Sequence, residues 1–377
     1  MSEKYNIVFV FTACKRTGPT QQMLNIAKNL DKDSFNLYLI TLYDEENNNS
    51  RLDKYMEVGF THYRVPLTQI DLLIGKTRAL KKKLMELHPS IIHSLGVLPD
   101  YAISKMGFNC HVITLRNYVY DDLIAWYGKY KGLMLVKLHL FAMQHTTKTF
   151  TCSQSLSVKY KENLGMEFDY IRNGVDVTRF KTVTIERKQE LRRELGLPLN
   201  SIIFIYTGRL SSRKDQEFLL KLFSNNNELK DYVFLLMTEG AEYERLLNTY
   251  ANDHILMPGF KPNIDEYLQA SDFYISCSKS EGLPNGVLEA MAVGLPVILS
   301  DIPQHLEVYD ADPRMGSTFR LGDEKDCITK IIETIHKDYN VMSEAAYKSA
   351  HEKFSDYRMS QSYQEAYRRI IDCNQNA

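Results

Sequence analysis

The chain has 377 residues, 46 Lys plus Arg against 47 Asp plus Glu, a formal net charge of −1, and 44% hydrophobic and 25% charged residues. At roughly 150 residues per domain this is a prior of about two to three domains, and a chain of this length buries a large core without staples. The balance excludes a strongly basic nucleic-acid binder and an acidic disordered chain, while 18 Gly and 11 Pro exclude a collagen-like or low-complexity one.

The first apolar run, 7–13, has the length of a signal-peptide core. Glu3 stands in front of it, and Lys15-Arg16 follow where small cleavage-site residues belong, so it is read as a buried first strand. Further strands are expected at 37–41, 91–93, 112–114, 202–207, 232–237, 273–277 and 297–300, each a short β-branched or apolar run. Helices are expected between them. Met23, Ile26, Ala27 and Leu30 keep i, i+3, i+4, i+7 spacing, and Tyr363, Ala366 and Tyr367 do the same within 359–370. Alternating β and α elements predict an α/β protein with parallel sheets covered on both faces. The alternation pauses between 174 and 200, which places a linker near 174–181, a charged helix over 186–194 and a second α/β unit beyond. No uninterrupted apolar segment reaches ~18 residues, so none is read as crossing a bilayer. The cysteines at 14, 110, 152, 277, 327 and 373 form no Cys-x-x-Cys pair and suggest neither a zinc site nor a disulfide framework. Scattered thiols fit a reducing cytoplasm.

Divided at residue 178, the charge is +5 before and −6 after. This is either random surface variation or a first half that faces something anionic, such as a membrane surface or a phosphorylated acceptor.

Two segments concentrate the chemistry. Residues 278–292 read Ser-Lys-Ser-Glu-Gly-Leu-Pro-Asn-Gly-Val-Leu-Glu-Ala-Met-Ala, a turn running into a helix near Gly286. A helix N-terminus suits phosphate, and open α/β sheets bind ligands beyond the carboxyl ends of their strands. Glu281 lies on the loop and Glu289 about one turn inside the helix; a carboxylate there suits sugar hydroxyls. The alternative is an ordinary strand-loop-helix with a carboxylate cap. Residues 206–215 follow another strand end, with Gly208 in the turn and Arg209 and Lys214 across it, two cations that can neutralise a diphosphate without a metal. Arg213 reads as a solvated surface charge.

These segments carry a resemblance. Residues 281–292 resemble the Glu-x7-Glu motif of the family 4 glycosyltransferases, and Gly208-Arg209-Leu210 with Lys214 resembles their Gly-Arg-Leu…Lys loop. Asn173-Gly174-Val175-Asp176 with Phe180, Gly259-Phe260, Tyr267-Leu268, Ala270-Ser271-Asp272, Asp301-Ile302-Pro303 and Glu307 are similar to further family segments in the same order. The resemblance implies a GT-B fold, two Rossmann-like domains facing across a cleft with the last helix crossing back. The domains would be 1–178, with 356–377 packing on it, and 179–355. It implies a retaining transfer of a sugar from a nucleotide-diphosphate donor to a hydroxyl, with no metal and no cofactor. By carry-over, Arg209, Lys214 and Glu281 are the catalytic candidates. Gly259 and Phe260 would meet the base, Gly282, Leu283, Pro284 and Asn285 the donor sugar and phosphates, and Glu289 the ribose.

The first half matches less closely. One glycine, Gly18, stands where family members often carry a Gly-Gly pair, and it is expected near a diphosphate. Arg116-Asn117 stand after the fourth expected strand, where the family often has a histidine. Arginine cannot take a proton at neutral pH, so Arg116 would bind anions or sugar oxygens. A front-face mechanism, with the leaving phosphate as base, is then the expectation. The family's Gly-Asp-Gly turn reads Thr238-Glu239-Gly240-Ala241, which puts contacts from it in doubt.

Asp310-Ala311-Asp312 is formally a metal-binding Asp-x-Asp but reads as a turn beside Pro313. The stretch 126–141 mixes aromatics and lysines; it is either a face for a membrane interface or a buried helix with snorkelling lysines. Lys81-Lys82-Lys83 either extend that basic face or are simply solvated. His93 and His139 are isolated in sequence and read as structural. The expectation is a cytoplasmic enzyme of bacterial surface-polysaccharide (O-antigen or capsule) synthesis, peripheral at the inner face of the plasma membrane if its acceptor is a polyprenyl-diphosphate-linked saccharide. A UDP-sugar, hexose or N-acetylhexosamine, is favoured as donor. The rivals are a nucleotide-sugar epimerase of the same fold, an NAD-type oxidoreductase disfavoured by the missing Gly-x-Gly-x-x-Gly, and a non-catalytic sugar-binding module.

Overall fold

The computed structural model describes residues 4–375; Glu3, used above against a leader, lies outside them. These residues form two compact units. One runs to Gly174 and resumes at Asp356; the other is Val175–Ser355.

The first unit holds seven parallel strands: β1 (Tyr5–Phe11), β2 (Phe35–Thr41), β3 (Thr61–Arg64), β4 (Ile91–Leu95), β5 (His111–Leu115), β6 (Lys148–Thr151) and β7 (Asp169–Tyr170), in the order β3-β2-β1-β4-β5-β6-β7. Phe9 of β1 pairs with Leu39 on one side and His93 on the other. Apolar side chains cover both faces, which is why the strands read as continuous runs. Phe9, Phe11, Met23 and Ile26 pack on one face with Tyr363 and Tyr367 of the helix Asp356–Gln375. Val8, Val10, Ile92, Leu72, Leu80 and Ile103 pack on the other. Chain order reverses between β1 and β4, so the loops after these strands open a crevice at the sheet's carboxyl edge.

The second unit holds six parallel strands: β8 (Ile203–Thr207), β9 (Val233–Met237), β10 (Ile255–Leu256), β11 (Phe273–Ser276), β12 (Val297–Ser300) and β13 (Gly316–Phe319), in the order β10-β9-β8-β11-β12-β13. Here the reversal falls between β8 and β11. The buried Arg192 pins the helix Ile185–Glu194 to the sheet. It donates to Asp272 Oδ2 at 2.6 Å and to the carbonyls of Ala270 and Ser201, while the same Asp272 oxygen accepts from Ile203 N. Gly316 is dictated by packing, because a Cβ would overlap the Val297 backbone of β12.

All eight expected strands form. The strands without a clear signal, β3, β6, β7, β10 and β13, are short, and β3, β7, β10 and β13 are sheet edges. Residues 174–181 lie in an irregular segment ahead of the helix Ile185–Glu194.

Candidate active site

The reversal between β8 and β11 sets the loops 208–215 and 277–284 side by side. Lys214 Nζ donates to Glu281 Oε1 at 2.8 Å, and Ser278 Oγ donates to the same oxygen at 2.8 Å. The Tyr206 hydroxyl lies 2.8 Å from Ser278 Oγ and 3.2 Å from Lys214 O. The Cys277 thiol contacts the carbonyls of Lys214 and Asp215 at 3.3 and 3.1 Å. Arg213 is not a merely solvated charge: its guanidinium donates to Ser280 O at 2.9 Å and bridges the two loops.

Burial pushes the Glu281 carboxyl up, but the charges of Lys214 and Arg213 and the Lys214 hydrogen bond outweigh it and hold the group below the usual carboxylate range. A bare carboxylate here would repel phosphate; paired with Lys214 it is neutral overall and leaves the surrounding cations to attract an anion.

Below Glu281 lies His305, fully buried. Its Nδ1 is 3.0 Å from Ser300 O, and Ser300 Oγ donates to Ser278 O at 2.7 Å. Burial lowers the imidazole pKa to about 4, so His305 is neutral at pH 7.

The loop geometry demands its glycines at two points. Gly208 has φ +139, and a Cβ would press on the Lys214 side chain at 3.2 Å. Gly286 sits in the first turn of the helix Asn285–Ala292, which starts one residue before the expected position. A Cβ on Gly286 would clash with the Tyr274 hydroxyl and lie 2.6 Å from Thr207 Oγ1. The helix start therefore rests directly on the ends of β8 and β11. Pro284 is its N-cap residue and provides no side-chain cap, and the helix start lies against Thr207, one residue before the Gly208 turn that faces the Lys214 side chain. Gly282, Leu283 and Pro284 are buried around Glu281, and Asn285 and Glu289 are half-buried in the helix beyond.

Arg209 is exposed in the same loop as Lys214. The loop is braced from β9, with Leu210 N donating to Glu239 O at 2.8 Å and Thr238 Oγ1 to Gly208 O at 2.7 Å. Thus Thr238-Glu239 supports the loop through one backbone carbonyl and one hydroxyl. Gly259 (φ +80) and Phe260, whose ring is 55% exposed, follow β10 at the sheet edge, two strands from β8.

In the first unit, Gly18 opens the helix Gly18–Lys28 directly after the loop that follows β1. Thr17 and Thr20 form a reciprocal cap there. Arg116 follows β5. Its Nη1 donates to Asn173 Oδ1 at 2.7 Å, and Nη2 lies 3.5 Å from Met23 Sδ. One guanidinium thus joins the end of β5, the segment after β7 and the helix Gly18–Lys28. Asn117 Nδ2 donates to Asp122 Oδ1 at 3.2 Å and steadies the start of the helix Val119–Tyr127.

Isolated in sequence, His93 and His139 are not isolated in space. His93 is buried, 2.6 Å from the Tyr367 hydroxyl and 3.0 Å from Thr114 Oγ1, and burial first, then the charges of Arg116 and His111, hold its pKa well below the usual range. His139 pairs with Asp100 at 3.0 Å, and Asp100 accepts from Ser94 Oγ, 2.7 Å from His111 Nε2. Both serve packing. Asp312 accepts twice from the Arg314 side chain and caps the turn Pro313–Met315.

Sequence reasoning missed His305, and it quoted Tyr206 and Ser278 inside its two segments without giving either a role, because a serine or tyrosine at a strand end has no signal of its own. It missed the Arg116–Asn173 contact too, because the residues are 57 positions apart.

Residues 187–349 match the family model of the glycosyl transferases group 1. A UDP-Gal:alpha-D-GlcNAc-diphosphoundecaprenol alpha-1,3-galactosyltransferase of Escherichia coli is 28% identical over 67% of this chain and 70% of its own. The O-antigen biosynthesis glycosyltransferase WclY of Escherichia coli is 24% identical over 97% of this chain and 98% of its own. The solved structure of HepE from Anabaena, in complex with UDP and glucose, superposes with a TM-score of 0.76 at 17% identity, covering 96% of this chain and 99% of that one. That likeness is one of fold, the two Rossmann-like parallel sheets of the GT-B class.

Proposed function

We propose that this chain, a group 1 glycosyltransferase, moves a hexose or N-acetylhexosamine from a UDP-sugar to a hydroxyl of a lipid-linked saccharide in bacterial surface-polysaccharide synthesis, with retention of anomeric configuration. The observation that carries the donor site is the Lys214–Glu281 pair, set beside a helix start without a side-chain cap at the switch point of the second sheet. Support for uridine and for a diphosphate-lipid acceptor comes from the Escherichia coli galactosyltransferase, named for a UDP-Gal donor and a diphosphoundecaprenol acceptor, and from the UDP held by HepE. The +5 charge of residues 1–178 fits an anionic acceptor.

In this reading Glu289 accepts from the ribose hydroxyls, and Gly259-Phe260 meet the base. The segment 282–285 and Glu281 hold the donor sugar, while Lys214 and Arg209 take up the charge of the departing diphosphate without a metal. Gly18, Arg116 and Asn117 belong to the acceptor side. The bond from the anomeric carbon to the phosphate oxygen breaks, and the bond to the acceptor oxygen forms on the same face. The acceptor proton passes to the leaving phosphate oxygen, so no protein base is required.

The test is product analysis. UDP released only when an acceptor is present, with an α-linked product from an α-linked donor, is the expected result. UDP release without an acceptor, or conversion of the donor into its epimer, favours the epimerase. Tight donor binding without any release favours the binding module. A panel of nucleotide-sugars scored by thermal shift identifies the donor without knowledge of the acceptor.

A further inference from the structure

A second ion pair joins the loops 208–215 and 277–284 besides Lys214–Glu281. Lys279 Nζ lies 2.7 Å from Asp215 Oδ2. The two pairs run in opposite senses, because the loop after β8 supplies the cation of one and the anion of the other. Between them Lys279 N donates to Arg213 O at 2.6 Å, which keeps the two backbones alongside each other.

Asp215 breaks two local rules. It is the N-cap residue of the helix Gln216–Asn225, yet its side chain makes no cap hydrogen bond, and its φ of +49 and ψ of 37 are left-handed. An aspartate there ordinarily takes extended backbone and caps the helix with its carboxylate. The left-handed region is unfavourable for a residue with a Cβ and persists only where the surroundings enforce it. Among the described residues only Asp215 and His88 combine a side chain with a positive φ. The Asp215 carboxylate meets Lys279 instead of the helix N–H groups. Asp215 N donates to Ser211 O at 3.2 Å, and the Cys277 thiol contacts its carbonyl at 3.1 Å. The carbonyl of Lys214 accepts from the Tyr206 hydroxyl at 3.2 Å. The Lys214 side chain is laid over Gly208, where a Cβ would meet Cε at 3.2 Å and Nζ at 3.3 Å.

We infer that Lys279 and Asp215 are positioning residues of the donor site: their pair holds the left-handed turn that presents Lys214 to Glu281 and to the donor diphosphate. The inference rests on the proposed role of Lys214 toward the donor. Both side chains of the outer pair reach solvent, so their attraction contributes little to stability. Its effect is to select one backbone conformation over another of similar energy. Freed from Lys279, the Asp215 carboxylate can cap the helix in the ordinary extended conformation. With the helix held by its packing, a change of φ at Asp215 moves the residue before it, which is Lys214. Local rules are broken where a site needs a particular geometry, and here the residue that breaks them adjoins the lysine of the site.

The test compares the unmodified full chain with Lys279→Met, Asp215→Gly, Asp215→Ala and Asp215→Gly combined with Lys279→Met. The probe is UDP, its affinity measured by calorimetry. Glycine enters the left-handed region without strain, so Asp215→Gly is expected to bind UDP within about threefold of the unmodified protein although the ion pair is gone. Asp215→Ala and Lys279→Met are each expected to weaken binding on the order of tenfold. The cost of Lys279→Met is expected to vanish when Asp215→Gly is already present, a coupling that the cycle measures. A loss of the same size in both backgrounds would place Lys279 on the ligand itself and overturn the inference. Equal affinities of Asp215→Gly and Asp215→Ala would overturn it as well. A ligand-free crystal structure of the Lys279→Met variant gives a readout that does not depend on binding. It is expected to show Asp215 at negative φ and the Lys214–Glu281 contact broken; both unchanged would overturn the inference. If the unmodified protein binds no UDP, the uridine-donor reading falls, while the variant structure still decides whether the pair sets the turn.

Discussion

The Lys214 ammonium and the Glu281 carboxylate lie 2.8 Å apart although 67 positions separate them in the chain. Each follows a strand, and the strands β8 and β11 are neighbours only because the sheet reverses its order there. If Lys214, held by Glu281, acts with the surrounding cations on the donor diphosphate, Lys214→Met removes one of the charges on the leaving group and leaves Glu281 unpaired beside it. A fall in kcat on the order of 10²–10³-fold is expected. The same change removes the charge that keeps Glu281 ionised, and burial then raises its pKa. Glu281→Gln keeps the volume and is expected to reduce turnover similarly, with a stability loss of about 1–3 kcal/mol. Steady-state rates and urea unfolding on the same samples check both; unchanged rates in both variants would remove the pair from the mechanism.

Ser278 donates to Glu281 and lies within hydrogen-bond distance of the Tyr206 hydroxyl, so it is assigned to holding the carboxylate in place. It is a positioning residue. Ser278→Ala leaves one hydrogen bond of the carboxylate unmade, a cost of about 1 kcal/mol. The expected kinetic effect is a drop in kcat of roughly tenfold, partly rescued by Ser278→Thr, which restores the hydroxyl. Equal rates in the serine, alanine and threonine forms would show that the hydroxyl only packs.

Gly286 leaves no room for a side chain between the helix Asn285–Ala292 and the ends of β8 and β11. Gly286→Ala is expected to displace the helix start and weaken donor binding, seen as a raised KM. Removing the Tyr274 hydroxyl relieves part of the clash, so Gly286→Ala with Tyr274→Phe is expected to bind better than Gly286→Ala alone. A double-mutant cycle on donor affinity measures that coupling. An additive cycle would mean that the clash is absorbed elsewhere.

Stability is expected to fall on acidification. His305 and His111 are both lowered from 6.5 to about 4 by burial. Between these values the unfolded chain takes up protons that the folded protein refuses, so folding weakens as pH falls from 6.5 towards 4 and levels off below. Each histidine contributes up to about 1.4 kcal/mol per pH unit in that window. Glu281, held below the usual carboxylate range, acts in the same direction: its contribution is complete above that range and is lost as pH falls through its own lowered value. Urea midpoints at four pH values test this, and His305→Gln is expected to flatten the slope. A slope unchanged by that substitution would take His305 out of the account.

Full turnover in EDTA is expected, because lysine, arginine and a helix start are proposed to carry the diphosphate charge. Asp312 is engaged by Arg314 in a turn. A strict requirement for Mg²⁺ or Mn²⁺, abolished by Asp310→Asn with Asp312→Asn, would return the acidic pair to the mechanism.

The alternating apolar runs were sufficient to read the fold class and the eight central strands from sequence, since a strand buried on both faces has no other composition open to it. Strands such as Thr61–Arg64 and Gly316–Phe319 were not legible, because a short edge strand is paired on one side only and needs no apolar run. The motif residues Lys214, Glu281 and Gly286 were likewise visible in sequence, as was the unusual Arg116. What the chain order could not show was which loops adjoin. The Lys214–Glu281 contact exists because strand order reverses and brings distant loops to one edge, and the Arg116–Asn173 contact because β5, β6 and β7 lie side by side and the segments that follow them meet at the carboxyl edge of the sheet. Sequence determined which groups are present; tertiary structure decided which carboxylate is neutralised, which histidines are buried neutral and which aromatics face outward. Those properties depend on burial and on neighbours, and neighbours are set by packing.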